Sequence, residues 1–134
     1  MTREDAEAIL RAFFDCFARR DISGILGYLA DDVTWWVAGK RDRLPGAGTK
    51  NRAQVEKMIL ALFSRLKGGL SFSVKGILMD GDTAAIELEG LAELHSGRIY
   101  NNEYHTVMRL RDAKIVVVRE YLDTLHVQDT FFVW

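Results

Sequence analysis

Polar residues interrupt two strongly apolar stretches near the end of the chain, and their types and spacing could support acid–base chemistry. Asn102, Tyr104 and Thr106 occupy every second position of one stretch, and Glu120 lies in the next. Alternate residues of a strand point to one face, so the first three would share a surface. A carboxylate in a packed strand is costly unless it is paired or used. We therefore predict a site here, with Glu120 as its best general base.

Two further carboxylates, Glu87 and Glu89, lie on a strand predicted over Thr83–Leu94. Alternation with Ile86 and Leu88 indicates that both glutamates face solvent. The other interpretation places them in a pocket with Glu120. Carboxylates forced together in an apolar pocket cannot all ionise, so at least one would have a raised pKa and could exchange protons near neutral pH.

A rival group of polar residues occupies the opposite face of the last two strands, and it comprises Glu103, His105, Tyr121 and Asp123. A histidine beside a carboxylate can shuttle protons, or it can be a hydrogen-bonded histidine of an interface or core. No spacing among the three histidines and Cys16 resembles a zinc site. The glycines near Gly46 and Gly48 lack the spacing of a phosphate-binding loop. We expect no metal and no cofactor.

The elements that would position these residues follow from hydrophobic periodicity and capping signals. Helices are predicted over Arg3–Arg20, Ile22–Leu29 and Arg52–Leu66, with Thr2, Asp21 and Asn51 as caps. Strands are predicted over Val33–Val37, Leu70–Val74, Thr83–Leu94, Arg98–Leu110 and Ile115–Asp123, and a long loop over Gly39–Thr49. The apolar tail, Leu125–Trp134, is expected to cover part of the molecule. This order indicates an α+β fold with helices covering one face of a curved sheet.

Length and composition limit the function further. The 134 residues suit one domain, 49% of them are hydrophobic, and the net charge is −1. A near-neutral chain gives no electrostatic reason to bind nucleic acid or an anionic membrane. The sequence has no signal-peptide pattern and no apolar run of membrane-spanning length. We expect a cytoplasmic protein.

Three segments carry a resemblance to a known family: RRDISGILGYLADDVTWW, GRIYNNEYHTVMRL and KIVVVREYLDTLHV. Together with the element order, they make the chain similar to the ketosteroid-isomerase-like, SnoaL-like superfamily over residues 1–134 as a single domain. The resemblance implies a cystatin-like α+β barrel. In such a fold a curved antiparallel or mixed sheet forms a cone, and three N-terminal helices lie on its concave face. It also implies a pocket between sheet and helices, and a homodimer through the convex face.

The family's known catalytic positions are only partly kept. In ketosteroid isomerases three places hold a base, an acid and a tyrosine, and here they hold Trp36, Thr106 and Phe13, respectively. The carboxylate–arginine–carboxylate row of limonene epoxide hydrolases falls on Glu89, Glu87 and Glu120, so the arginine is missing. The two first-strand places of those hydrolases hold Thr34 and Trp36. Neither mechanism is therefore expected in its known form.

The resemblance points Glu87 and Glu89 into the pocket, and we prefer this placement to the one from alternation. Glu89 would then share or relay the proton of Glu120, while Tyr104 and Asn102 orient the substrate. The pocket would bind a hydrophobic small molecule, with walls from Thr106, Trp36, Phe13, Phe17, Met58, Leu62 and Leu122.

The sequence leaves three functions open. The first is an isomerase, cyclase or hydrolase that uses a pocket carboxylate. The second is a binding domain for an apolar metabolite, and the third is a dimerisation module with a pocket filled by Trp36. For any of them we expect a homodimer through the odd-numbered face of the final strands.

Overall fold

A computed structural model describes residues 1–132 of the chain. Its helices are α1 (Arg3–Ala18), α2 (Ile22–Tyr28), α3 (Arg52–Arg65) and α4 (Thr124–Val127), and a π-helical turn follows over Gln128–Phe132. Its strands are β1 (Leu29–Val37), β2 (Gly48–Lys50), β3 (Ser71–Asp80), β4 (Thr83–Glu93), β5 (Ile99–Arg111) and β6 (Lys114–Leu122). The predicted α+β class is confirmed.

Capping boxes start the two long helices. The Asp5 amide donates to Thr2 Oγ1 at 3.0 Å, and the Thr2 amide donates to Asp5 Oδ2 at 3.3 Å. Asn51 and Gln54 make the equivalent pair of bonds at the start of α3. Each box satisfies amides that would otherwise lack a partner in the first turn. Behind these caps, α1 buries Leu10, Phe13, Phe14 and Phe17, and α3 buries Val55, Ile59 and Phe63.

The six strands form one mixed sheet in the order β2-β1-β6-β5-β4-β3. The pairing of β1 with β6 is parallel, and the other described pairs are antiparallel. The sheet is open, with β2 and β3 as its edges, and α1 packs against β3 while α3 packs against β1. The three predicted helices are all present, with α3 after the first strand as predicted, and a fourth helix that was not predicted lies near the C-terminus.

The faces of β4 correct one prediction. Ala84, Ile86 and Leu88 are buried, whereas Glu87 is exposed and Glu89 is partly exposed. Leu88 lies opposite the buried Tyr104 of β5. Glu87 and Glu89 therefore occupy the outer face, and the expectation that they point into the pocket is wrong. Alternation along β4 indicates that the two glutamates lie on the outer face, because apolar residues occupy every second position of the strand and point to the other face.

A glycine in β4 makes room for the aromatic residues beneath it. A Cβ atom added to Gly90 would lie 3.0 Å from Tyr104 Cε1 and 3.1 Å from Phe72 Cε1. The rings of Phe72 and Tyr104 pack edge to face with centroids 5.3 Å apart. The absence of a side chain at Gly90 thus lets both rings approach the sheet closely. None of the helices within residues 1–132 is both long and apolar enough to cross a membrane.

Candidate active site

A cavity of about 560 Å³ lies between the helices and the inner face of the sheet. Its size is within the range of pockets that hold small molecules. Eight residues predicted for the pocket do line it: Phe13, Phe17, Met58, Leu62, Tyr104, Thr106, Glu120 and Leu122. Aromatic and aliphatic side chains form most of the wall. Glu120 is the one acidic residue among the described residues of the lining.

Three strands position Glu120. It lies on β6, opposite Thr106 of β5 on one side and Val37 of β1 on the other. The Ala38 amide donates to the Glu120 backbone carbonyl at 2.9 Å, which fixes the strand end. The side chain is held by Trp35, whose Nε1–H donates to Glu120 Oε1 at 3.2 Å. The carboxyl group is thus held on the cavity wall by a buried aromatic residue.

The surroundings of Glu120 alter its proton affinity. Burial raises the pKa of the Glu120 carboxyl to about 7, because low polarity disfavours the charged form. The Trp35 hydrogen bond and the positive charge of Lys50 oppose this rise in pKa. A carboxyl group in this state is partly ionised near neutral pH, so it could take up or release a proton.

Two tyrosine hydroxyls form a buried pair in the cavity wall. Tyr100 Oη and Tyr104 Oη are 2.5 Å apart. Asn102 Nδ2 donates to Tyr100 Oη at 2.9 Å and to the Asp123 carbonyl at 3.1 Å. Burial raises the pKa of both tyrosines above the ordinary value, so their hydroxyls keep their protons and can act as donors. Asn102 is itself buried and supports the pair from outside the cavity lining.

Thr106 adds a free polar group beside the carboxyl. The residue is 3% exposed, and its Oγ1 has no hydrogen-bond partner among the described residues. Directly paired residues on antiparallel strands have Cβ atoms roughly 5 Å apart, so Thr106 and Glu120 are side by side on the wall. Buried hydroxyls are normally satisfied, so this one is available to a bound molecule or water.

Lys50 is a charged residue of the cavity lining that the sequence did not reveal. It pairs with Trp35 across β2 and β1, which places its side chain on the cavity face. Its Nζ donates to the Gly46 carbonyl and, at 3.3 Å, to the Gly48 carbonyl. Desolvation lowers the pKa of Lys50. The sequence placed this residue at the end of a loop, and the short strand β2 carries no alternation long enough to show its direction.

Trp36 lies outside the cavity, contrary to the prediction. Its ring is on the outer face of β1, with Arg119 Cζ 4.3 Å above it and the Tyr121 ring 5.1 Å away. Trp35 is buried instead, 6.1 Å from the Phe13 ring, and lines the cavity. Two adjacent tryptophans must point to opposite faces of a strand, so only one of them can reach the pocket. The proposed Trp36 plug is therefore wrong.

The rival group on the outer face does not share this cavity. Glu87, Glu103, His105, Tyr121 and Asp123 border a separate groove of about 470 Å³. Glu89 makes an ion pair with Lys75 at 3.1 Å on the same face. Within the described residues, no group of three or more histidine, cysteine or acidic side chains could hold a metal ion.

The end of the chain covers the cavity, as its apolar composition predicts. Val127, Phe131 and Phe132 line one end of it. Arg65 donates to the Phe131 carbonyl at 3.1 Å and stacks on the Phe131 ring. His126 stacks on Tyr100, and its Nε2 accepts a hydrogen bond from the Asn101 amide at 3.0 Å. Val133 and Trp134 lie outside the described residues.

Comparisons with known proteins agree on the fold. A family model described as a SnoaL-like domain matches residues 10–118. No curated protein sequence matches the chain. An NTF2-like protein of unknown function from Burkholderia pseudomallei superposes with a TM-score of 0.84 at 20% identity, covering 98% of this chain and 99% of its own.

Two further solved structures carry functional descriptions. A putative isomerase from Bacillus subtilis has a TM-score of 0.83 at 20% identity and covers 98% of this chain and 95% of its own. An LEH-like epoxide hydrolase from M. tuberculosis has a TM-score of 0.75 at 16% identity, with coverages of 95% and 89%. At these identities, the likeness establishes the cone-shaped α+β fold. The activity has to be inferred from the residues of the cavity.

Proposed function

This chain belongs to the SnoaL-like domain family, and we propose that its cavity binds an apolar metabolite and transfers a proton on it. The reaction would be an isomerisation, a cyclisation or a hydrolysis, with Glu120 as general base. The observation that carries the proposal is Glu120 itself, a carboxyl group with a pKa of about 7 that Trp35 holds on the wall of a mostly apolar cavity. A general base is most effective when its pKa is near the working pH.

The neighbouring hydroxyls supply the complementary role. When a base removes a proton from a carbon beside a carbonyl, negative charge develops on the carbonyl oxygen. A fixed donor placed at that oxygen stabilises the charge. Thr106 has an uncommitted hydroxyl in the cavity, and the Tyr100–Tyr104 pair keeps its protons at neutral pH. The proton taken up by Glu120 would return to another atom of the same molecule in an isomerisation.

The likeness to a putative isomerase and to an epoxide hydrolase is consistent with this chemistry. The carboxylate–arginine–carboxylate row of limonene epoxide hydrolases is not reproduced in the cavity, because Glu87 and Glu89 lie on the outer face. Lys50 is a cation of the cavity lining, and it comes from β2 rather than from β4. The proposal therefore rests on Glu120 with hydroxyl donors, and it requires no second carboxylate.

Proton transfer can be tested without knowing the substrate. Tetralone is an apolar bicyclic ketone whose α-protons exchange with D₂O when a base removes them, and NMR follows the exchange. We expect the protein to accelerate this exchange roughly 10²-fold or more over buffer, and Glu120→Gln to abolish the acceleration. The matched control is Glu103→Gln, which changes an exposed glutamate on the outer face and should leave the rate unchanged.

Two results would separate the alternatives. Exchange that depends on Glu120 supports the enzyme. Tetralone that binds, as seen by shifts of cavity resonances, but exchanges no faster than in buffer refutes proton transfer. That result would support the second candidate, a binding domain for an apolar ligand, which the mostly apolar cavity wall favours.

A further inference from the structure

The charges around the cavity are unbalanced. Lys50, Lys57 and Arg65 line it, and Glu120 is the one acid among the described lining residues. Burial keeps Glu120 partly protonated near neutral pH, so it offsets little of this positive charge. Arg65 is engaged with Phe131 and holds the end of the chain in place. Lys50 and Lys57 form no ion pair with a carboxylate of the described residues.

The loop before β2 holds the Lys50 ammonium in place. Carbonyl groups of Gly46 and Gly48 accept two of its hydrogen bonds. An ammonium has three N–H donors, so one remains for another acceptor. Leu44, Pro45 and Gly46 of the same loop line the cavity next to it. The loop therefore presents a fixed cation to the cavity rather than a mobile surface lysine.

A second cation adds to the positive charge at this end. The Arg41 side chain packs on Gly48, where a Cβ would lie only 3.2 Å from Arg41 Cδ, and Gly48 has a φ of +99° that favours glycine. Desolvation lowers the pKa of Lys50, the charge of Glu120 raises it, and the charge of Arg41 lowers it further. A partly desolvated cation beside a like charge is unfavourable unless an anion compensates it. The described residues supply only Glu120 nearby.

We propose that the ligand of this cavity is an apolar carboxylate, with its anionic oxygens bound by Lys50 and its apolar body extending toward Glu120 and Tyr104. This assignment names the substrate class of the proposed function and rests on that function for the role of Glu120. A carboxylate that meets Lys50 gains a charge-assisted hydrogen bond in a site of low polarity. An amine would meet the like charges of Lys50 and Arg41 at the same place.

Three probes that share a naphthalene ring test the charge preference. They are naphthoate, naphthalenemethanol and naphthylmethylamine, which present an anion, a neutral hydroxyl and a cation. Titration calorimetry should give a Kd for naphthoate at least about 10-fold lower than that for the alcohol, and the weakest binding for the amine. Lys50→Met should remove the preference for the anion, and it should weaken the binding of naphthoate far more than that of the alcohol.

Lys40→Met is the matched control. Lys40 is an exposed lysine of the same loop that does not line the cavity, so the variant should keep the full preference. A preference that survives Lys50→Met, or equal affinities for naphthoate and the alcohol, would overturn the assignment. Either result would leave proton transfer untouched, because tetralone is neutral and its exchange depends on Glu120. Failure of all three probes to bind would also overturn the assignment of a carboxylate ligand, and tetralone exchange would still decide proton transfer.

Discussion

Trp35 Nε1 lies 3.2 Å from Glu120 Oε1, and this bond joins residues that are 85 positions apart in the sequence. It spans β1 and β6, the parallel pair of the described sheet. A neutral indole N–H stabilises the ionised carboxylate, whereas burial stabilises the protonated form. The pKa of Glu120 therefore depends on two opposing effects, the hydrogen bond from Trp35 on β1, which lowers it, and the burial of the carboxyl group on β6, which raises it.

Replacing Trp35 by phenylalanine should change that balance. Trp35→Phe keeps a large ring in the core but removes the donor, so we expect the pKa of Glu120 to rise above about 7. Carbon-13 shifts of the Glu120 carboxyl group, followed by NMR through a pH titration, measure this directly. Trp36→Phe, on the outer face, should leave the pKa unchanged. Identical titrations of Trp35→Phe and wild type would show that the bond does not favour the carboxylate.

The raised pKa also predicts how stability depends on pH. The folded protein binds the Glu120 proton more tightly than the unfolded chain does, because the pKa is about 7 when folded and 4.5 ordinarily. The contribution of this group is therefore fully present below about pH 4.5 and is lost as the pH rises through about 7.

Glu120→Gln should abolish this contribution. The shift in pKa sets an upper limit of ~3 kcal/mol, so wild type should lose up to that much stability relative to the variant between about pH 5 and pH 8. Urea unfolding at both pH values measures the difference. Glu103→Gln, an exposed change, serves as the control. A constant difference between wild type and Glu120→Gln at the two pH values would contradict the raised pKa.

Removing the outer-face glutamates should have no effect on the cavity. Glu87→Gln and Glu89→Gln should keep the tetralone exchange rate of wild type, because neither side chain reaches the cavity. Glu89→Gln should lose the surface ion pair with Lys75, which is worth less than about 1 kcal/mol. If Glu89→Gln instead lowered the exchange rate as Glu120→Gln does, Glu89 would contribute to proton transfer, as the family resemblance implied, and its placement on the outer face would be contradicted.

We propose a homodimer through the outer face of the sheet. This face exposes Leu78, Leu91, Ile99 and Tyr121, whose side chains are 41–74% accessible in the single chain. Apolar residues in this number on one face are typical of an interface that buries ~1,000 Å² or more. Sedimentation velocity at micromolar concentration should show a dimer, and Tyr121→Glu should produce monomers. Leu60→Glu, an exposed apolar residue of α3, is the control, and a monomeric wild type would refute the proposal.

The sequence predicted the fold and the central carboxylate well, for identifiable reasons. Helices α1 and α3 carry capping boxes and apolar stripes, and burial alternates regularly along β5 and along β6 after Val116, with the even positions toward the core. Glu120 followed from this alternation as a charged residue on an apolar face. The face of β4 was also readable from alternation, and the error arose from preferring a distant family alignment over the apolar positions Ile86 and Leu88.

Other parts of the site were not accessible to periodicity. Two adjacent tryptophans do not show which of Trp35 and Trp36 faces the cavity. A register shift between Leu29 and Thr34 also makes the pairing of β1 with β6 irregular. Lys50 belongs to a strand of only three residues, so its direction depends on pairing with Trp35. Whether the hydroxyl of Thr106 has a hydrogen-bond partner depends on which residues surround it in the fold, and the pattern of the sequence does not show this.

The parallel pairing of β1 with β6 also constrains how the chain can fold. Strand β1 is synthesised before all the other strands of the described sheet, and its long partner β6 is synthesised after them. Before β6 is made, the three-residue β2 is the partner available to β1. Contacts of such sequence separation form slowly, because a long loop must close first. Until then the apolar edge around Trp35 stays open and vulnerable to aggregation. Pulse-labelled hydrogen exchange during refolding should accordingly protect the β4–β5 amides before those of β1, and the proton-transfer site would be the last part of the molecule to assemble.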